Sequence, residues 1–133
     1  MVLARDCVLD LLRLRRRHPL LRLGSAQAGR AAVTFPVSGT PHGAADLAVM
    51  LVDGRRIGDG TGGPGAAESG ILVVLNAAAA DREVVVPGLA GERWELSPVQ
   101  RNGADEQVKA TRGELARGGV QVPALSAVVL TRA

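Results

Sequence analysis

The sequence predicts a mainly β protein, an antiparallel β-sandwich of about seven strands preceded by one N-terminal amphipathic α-helix. Three observations carry that prediction. Apolar residues recur at helical spacing only near the N-terminus, short apolar runs separated by Gly, Pro, Asn and Asp fill the rest, and the apolar content is mostly Ala, Val and Leu. A chain of 133 residues is long enough for one domain with a real core. Its 47% hydrophobic and 22% charged residues are globular composition, not that of a disordered chain.

The helix is predicted over residues 3–17. Leu3, Cys7, Leu11 and Leu14 fall at i, i+4, i+8 and i+11 with Val8 and Leu12 flanking them, one apolar stripe at the helical period. Arg15, Arg16 and Arg17 fill the last turn, where cations suit the negative end of the helix dipole. Pro19 stops the helix at or before His18. No N-cap residue precedes Leu3, so the segment reads as part of a longer whole.

Strands are predicted near 31–36, 47–52, 71–76, 82–86, 92–97, 119–122 and 126–131. Ile71 to Leu75 and Ala127 to Leu130 are continuous apolar runs, the pattern of strands buried on both faces. Val84-Val85-Val86 ends at the turn pair Pro87-Gly88. Trp94, Leu96 and Pro98 alternate with Arg93, Glu95 and Ser97, one face in and one face out. The stretch 53–70 holds seven Gly and one Pro and reads as a flexible surface loop, and 38–45 reads as a softer connection.

Composition narrows the function classes. Cys7 is the only cysteine, so neither an intrachain disulfide nor a cysteine metal cage can form, and its apolar neighbours suit plain packing. No run approaches the roughly 20 apolar residues of a membrane span, and Arg5, Asp6 and Asp10 interrupt the N-terminus before it could serve as an export signal. The compartment stays open. Residues 1–30 hold seven Arg and two Asp, while the remainder is slightly acidic, so the basicity belongs to the helix and its exit. That basic run has no groove-reading element or stacking aromatics beside it, which favours a solvated helix face over a nucleic-acid partner.

Candidate sites are few. Gly58-Asp59-Gly60-Thr61-Gly62-Gly63 matches a dinucleotide fingerprint literally, but Pro64-Gly65 follows instead of the helix whose N-terminus would hold a pyrophosphate. His18 and His42 with a carboxylate, for example Asp46, are a formally possible metal set, and neither histidine has a placed nucleophile partner. The acids Asp81, Glu83, Glu92, Glu95, Asp105 and Glu106 lie in turns or on outward strand positions rather than as a pair across a cleft. Trp94 and Phe35 are the only Trp and Phe in a chain without Tyr, so no multi-subsite sugar platform can be built. Both are expected in the core, with a weak single-site glucan contact at Trp94 as the alternative. No cofactor is implied.

These residues together resemble a known family. Leu11-Leu12-Arg13-Leu14-Arg15, then His18-Pro19-Leu20-Leu21-Arg22-Leu23-Gly24-Ser25-Ala26, resembles the last barrel helix and exit segment of pullulanase-type α-1,6-glucosidases of the α-amylase superfamily. Val33-Thr34-Phe35-Pro36 and Ala48-Val49-Met50 are similar to the next two strands. Leu72-Val73-Val74-Leu75-Asn76-Ala77 resembles the central strand of the family's C-terminal β-domain. Trp94-Glu95-Leu96-Ser97-Pro98-Val99-Gln100 with Asp105 and Val108-Lys109 is the most specific segment, and Val120, Val122-Pro123 and Val128-Val129-Leu130 fit the end. Departures are Leu20-Leu21, where an aromatic is expected, and the Gly-rich stretch 53–70, both consistent with drift in an Ala/Gly/Arg-biased lineage.

The resemblance implies that residues 1–23 are the end of a catalytic (β/α)₈ barrel and residues 24–133 a C-terminal accessory sandwich. Such a barrel needs about 200 residues or more and would carry the catalytic carboxylates, so no catalytic residue is carried over to this chain. The resemblance thus implies a structural role beside a debranching glycoside hydrolase barrel, with Leu3, Cys7, Leu11 and Leu14 as the partner-contact stripe. In isolation that stripe is expected to pack on the sandwich or drive self-association.

Overall fold

The computed structural model of the chain describes residues 2–57, 69–114 and 118–132. A helix α1, Val2–Arg17, leads through a 3-10 turn, Pro19–Arg22, to a short helix α2, Ala26–Ala32. Strands follow as β1 Val33–Thr34, β2 Leu47–Asp53, β3 Gly70–Asn76, β4 Arg82–Val85 and β5 Trp94–Leu96. A one-turn helix α3, Pro98–Arg101, precedes β6 Arg112–Glu114, β7 Gly119–Val122 and β8 Ser126–Arg132.

Two antiparallel sheets result. The larger runs β1-β2-β3-β8-β5 and the smaller β4-β7-β6. The period-2 alternation of strand side chains decides which residues go where. Val49, Leu72, Val74, Val128, Leu130, Trp94 and Leu96 of the large sheet meet Val84, Val120 and Val122 of the small one in a single buried cluster. Val52, Ile71 and Val129 point to the opposite face, where Leu14 of α1, Ala32 of α2 and the partly buried Leu20 and Leu21 cover them. The central strands are therefore buried on both sides, which is why Ile71 to Val74 and Val128 to Leu130 read as unbroken apolar runs. The cover stops short of Leu75, which is exposed.

The expected sandwich behind one amphipathic helix is the observed fold, with three local corrections. The strand expected at 31–36 is helical to Ala32 and only then extended, because Ser25 caps an alanine-rich turn, its hydroxyl accepting from the Ala28 N–H at 3.1 Å. The strand expected at 92–97 is shortened to Trp94–Leu96, because Pro98 begins a helical turn at once. The strand Arg112–Glu114 was not expected: Arg-Gly-Glu has no apolar pattern, and pairing with β7 alone makes it a strand. The glycine-rich segment at 58–68, including the fingerprint at 58–63, lies outside the described residues.

Asn76 closes the end of β3. Its amide donates to the carbonyls of Ala80 and Pro123 at 3.0 and 2.9 Å, and its oxygen accepts from the Ala78 N–H at 3.1 Å. One buried side chain thus ties β3, the turn after it and the β7–β8 connection. Asn76→Ala leaves those buried groups unsatisfied and is expected to lose about 2–3 kcal/mol of unfolding free energy, measurable by urea denaturation.

Candidate interaction surface

Helix α1 is apolar on more than one side, and its faces have different fates. Leu14 is 2% exposed and belongs to the core beneath the helices. Cys7 and Leu11 line a shallow hollow of about 60 Å³ with Gln100, Gly103, Val108 and Ala127. Leu3, on the same stripe, is exposed. Of the predicted stripe, Leu14 is buried and Cys7 is partly covered by the domain, while Leu3 and Leu11 are exposed, Leu11 at 45%. Val8, Leu9 and Leu12, with Val2 nearer the start, are exposed, Leu12 at 57%. Spacings of three and four residues place Val8, Leu9 and Leu12 side by side on the helix surface. The apolar area left exposed is this outer ridge together with Leu3 and Leu11 of the stripe.

Buried polar groups fix α1 in that orientation. Asp10 accepts from the Ala104 N–H at 2.8 Å and from Arg13 at 2.8 Å. The Ala104 hydrogen bond first, and the Arg13 guanidinium second, hold its carboxyl below the usual range. Gly103 makes the approach possible, since a Cβ there would sit 2.6 Å from Asp10 Oδ2 and 2.9 Å from the Val99 carbonyl. His18, fully buried at the helix exit, shares a 3.0 Å hydrogen bond between its Nε2 and Ser97 Oγ. Gln100 spans the same region, donating to the Ala127 carbonyl and accepting from the Val129 N–H, both at 2.7 Å.

The Asp10 tie sets an expected pH dependence. A carboxyl depressed on folding contributes its stability above its unfolded pKa of about 3.9, and loses it as pH falls through the lower folded value. The melting temperature is thus expected to fall on acidification below about pH 4, with a shallower acid limb in Asp10→Asn. Calorimetry across that window checks this.

The other candidate residues are dispersed. Trp94 is 5% exposed, its ring in the inter-sheet core beneath the Arg132 guanidinium at 4.7 Å from the centroid. It has no open face on which a sugar could stack, because Leu96 and Trp94 share the inward side of β5. Phe35, expected in the core, is instead 57% exposed just past the edge strand β1. Burial, with nearby Asp105, Asp10 and Asp6, pushes the Cys7 thiol up and away from the reactive thiolate. Among the described residues no group of three His, Cys, Asp or Glu could hold a metal ion, and no helix is long and apolar enough to cross a membrane.

One charged cluster is drawn together that the sequence did not reveal. Arg132, from the last strand, donates to Asp53 at 3.0 Å, Glu92 at 3.0 Å and the Ser69 carbonyl at 2.8 Å. Arg55 bridges the same two carboxylates at 3.2 and 2.9 Å. Burial pushes the Asp53 carboxyl up, but the hydrogen bonds from Arg55 and Arg132 outweigh it and hold the group below the usual range. A general acid of glycoside hydrolysis needs the opposite shift.

Similarity to known proteins fits this architecture. The family model described as "Alpha-1,6-glucosidases, pullulanase-type, C-terminal" matches residues 1–133. The chain belongs to this family. Pullulanase 1, chloroplastic, of Arabidopsis thaliana is 34% identical over 126 residues, which is 91% of this chain and 12% of that protein. The crystal structure of PulA from Klebsiella oxytoca superposes with a TM-score of 0.75 at 32% identity, over 92% of this chain and 11% of that one. A maltotriose complex of PulA from Klebsiella pneumoniae gives 0.74 at 30% identity, over 92% and 13%. The chain thus spans about an eighth of the length of these relatives, and its fold is that of a pullulanase C-terminal domain.

Proposed function

We propose that this chain is the non-catalytic C-terminal part of an enzyme that hydrolyses α-1,6-glucosidic bonds in starch or pullulan, and that its work is structural. Residues 1–23 pack against, and complete, the catalytic (β/α)₈ barrel; residues 24–133 form the accessory sandwich that closes it off. The observation that carries this reading is the outer ridge of α1. A helix that buries Leu14 on one side and leaves Val8, Leu9 and Leu12 exposed on the other carries apolar side chains on two sides, as expected of a helix with a partner on each. Contiguous exposed apolar surface of that kind marks an interaction site. The carboxylates support the non-catalytic half of the proposal, since Asp10 and Asp53 are each held ionised by structural partners.

Sedimentation velocity and dye binding test the ridge. The 133-residue chain is expected to self-associate reversibly and to bind a dye for exposed apolar surface. The double variant Val8→Glu, Leu12→Glu is expected to be monomeric and to lose most dye binding. A wild-type monomer that binds no dye, or a double variant that behaves as wild type, contradicts the docking role.

A further inference from the structure

The chain has two asparagines, Asn76 and Asn102, and only the second is followed by glycine. The fold treats them in opposite ways. Asn76 is 2% exposed, and both ends of its amide are hydrogen-bonded. Asn102 is exposed at the end of α3, and no hydrogen bond holds its side-chain amide among the described residues. A succinimide ring closes when the backbone nitrogen of the next residue attacks an asparagine Cγ. A glycine in that next position puts no Cβ in the way and moves easily into the backbone geometry required.

Gly103 is demanded by the docking of α1. A Cβ there would lie 2.6 Å from Asp10 Oδ2 and 2.9 Å from the Val99 carbonyl. Asp10 must come that close to accept from the Ala104 N–H at 2.8 Å. The contact that docks α1 therefore places an Asn-Gly pair on the surface beside it. The same turn guards the pair. The Asn102 and Gly103 N–H groups donate to the Pro98 and Gln100 carbonyls, each at 3.1 Å. The Asn102 ψ of 7° holds the Gly103 nitrogen out of line with Cγ. Ring closure needs residues 102–104 to open, and the Asp10 and Gln100 contacts keep them closed.

We propose that Asn102 is a site of spontaneous deamidation, gated by the docking of α1, and that its product undocks α1. With the turn open, the Gly103 nitrogen gives its proton to solvent base and bonds to Asn102 Cγ. The Cγ–Nδ2 bond breaks and ammonia leaves. Water then opens the succinimide at one of its two carbonyls, giving aspartate or, with the main chain rerouted through Cβ and Cγ, isoaspartate. One water is consumed and one ammonia released, with no oxidant and no cofactor. Either product sets a new carboxylate beside Gly103, which touches Asp10, and a like charge there disfavours the ionised Asp10 that holds Ala104. Isoaspartate also lengthens the main chain by one atom and moves the Ala104 N–H off its acceptor. The step does not run back, so it marks aged molecules by freeing α1. It holds whatever α1 packs against in a longer protein.

Prolonged incubation of the chain in mildly alkaline buffer tests it, with peptide mapping by mass spectrometry and amide exchange on the aged sample. The mass change of an amide replaced by a carboxylate is expected at Asn102 and not at Asn76. Modified molecules are expected to exchange faster in α1, with β3 and β8 unchanged. Asp10→Ala is expected to speed conversion about tenfold, the effect of removing a charged hydrogen bond that closes the turn. Arg13→Ala, which leaves Asp10 one hydrogen bond fewer, is expected to fall between the two and carries the comparison if Asp10→Ala does not fold. Asn102→Gln, which would have to close a larger ring, is expected to keep α1 exchange at its fresh value over the same time. Three results would overturn the proposal. One is no conversion at Asn102 over a period in which a free peptide of residues 98–106 converts fully. Another is conversion at the wild-type rate in both the Asp10 and the Arg13 variants. The third is converted protein whose α1 exchanges as before.

Discussion

Arg132→Leu is expected to destabilise the chain by about 3–5 kcal/mol, the cost of breaking a buried charge cluster by removing one partner. The Arg132 side chain is 6% exposed and holds Asp53, Glu92 and the Ser69 carbonyl together. Those groups come from the end of β2, the approach to β5 and the approach to β3. Leucine fills part of the volume over Trp94 but leaves two carboxylates facing each other with Arg55 as their shared counter-ion. Arg55 is half-exposed and cannot hold both with the same geometry. Arg132→Lys keeps one charge and loses the fork that reaches three acceptors, so an intermediate loss is expected. Because the cluster is buried, added salt is expected to recover little of the loss. Urea denaturation of the three proteins, at low and high ionic strength, checks both the magnitude and its salt independence.

Leu14→Ala is the second large effect, about 2–5 kcal/mol. Leu14 is the one α1 leucine that reaches the core, where it packs with Ala32, Val52, Ile71 and Val129. Truncation opens a cavity between the helix and the large sheet, and the surrounding strands are tied at both ends and cannot collapse into it. The loss is expected to be local as well as global. Amide exchange in α1 should accelerate more than exchange in β3 and β8, because Leu14 holds the helix to the sheet while Asp10 and His18 tie it only to Ala104 and Ser97. Leu12→Ala, two residues earlier but exposed, is expected to change stability by no more than about 0.5 kcal/mol. The contrast separates the face that builds the domain from the face offered to a partner.

Much of this architecture is legible in the residues, for identifiable reasons. Strands β2, β3 and β8 carry four or more consecutive apolar residues bounded by polar or turn residues, and their alternation feeds two cores at once. Pro19 and the triple arginine end α1 where they should. The illegible parts are those where partners distant in sequence decide. β6 exists only because β7 pairs with it. The ion cluster joins residues 53, 55, 92 and 132, and no local spacing announces it. Of the two aromatics expected in the core, Trp94 is there and Phe35 is not, for the same reason. Trp94 sits on an inward position of β5, whereas Phe35 follows a two-residue edge strand whose flank nothing covers. Helical periodicity identified α1, but not that Leu14 alone of its leucines would be buried.

We propose that this chain supports glucan hydrolysis without performing it. The most direct measurement is release of reducing sugar from pullulan by the purified 133-residue chain, followed over hours at high protein concentration. The account predicts no release above buffer. Release that rises in proportion to the chain's concentration and persists through a further purification step would contradict it.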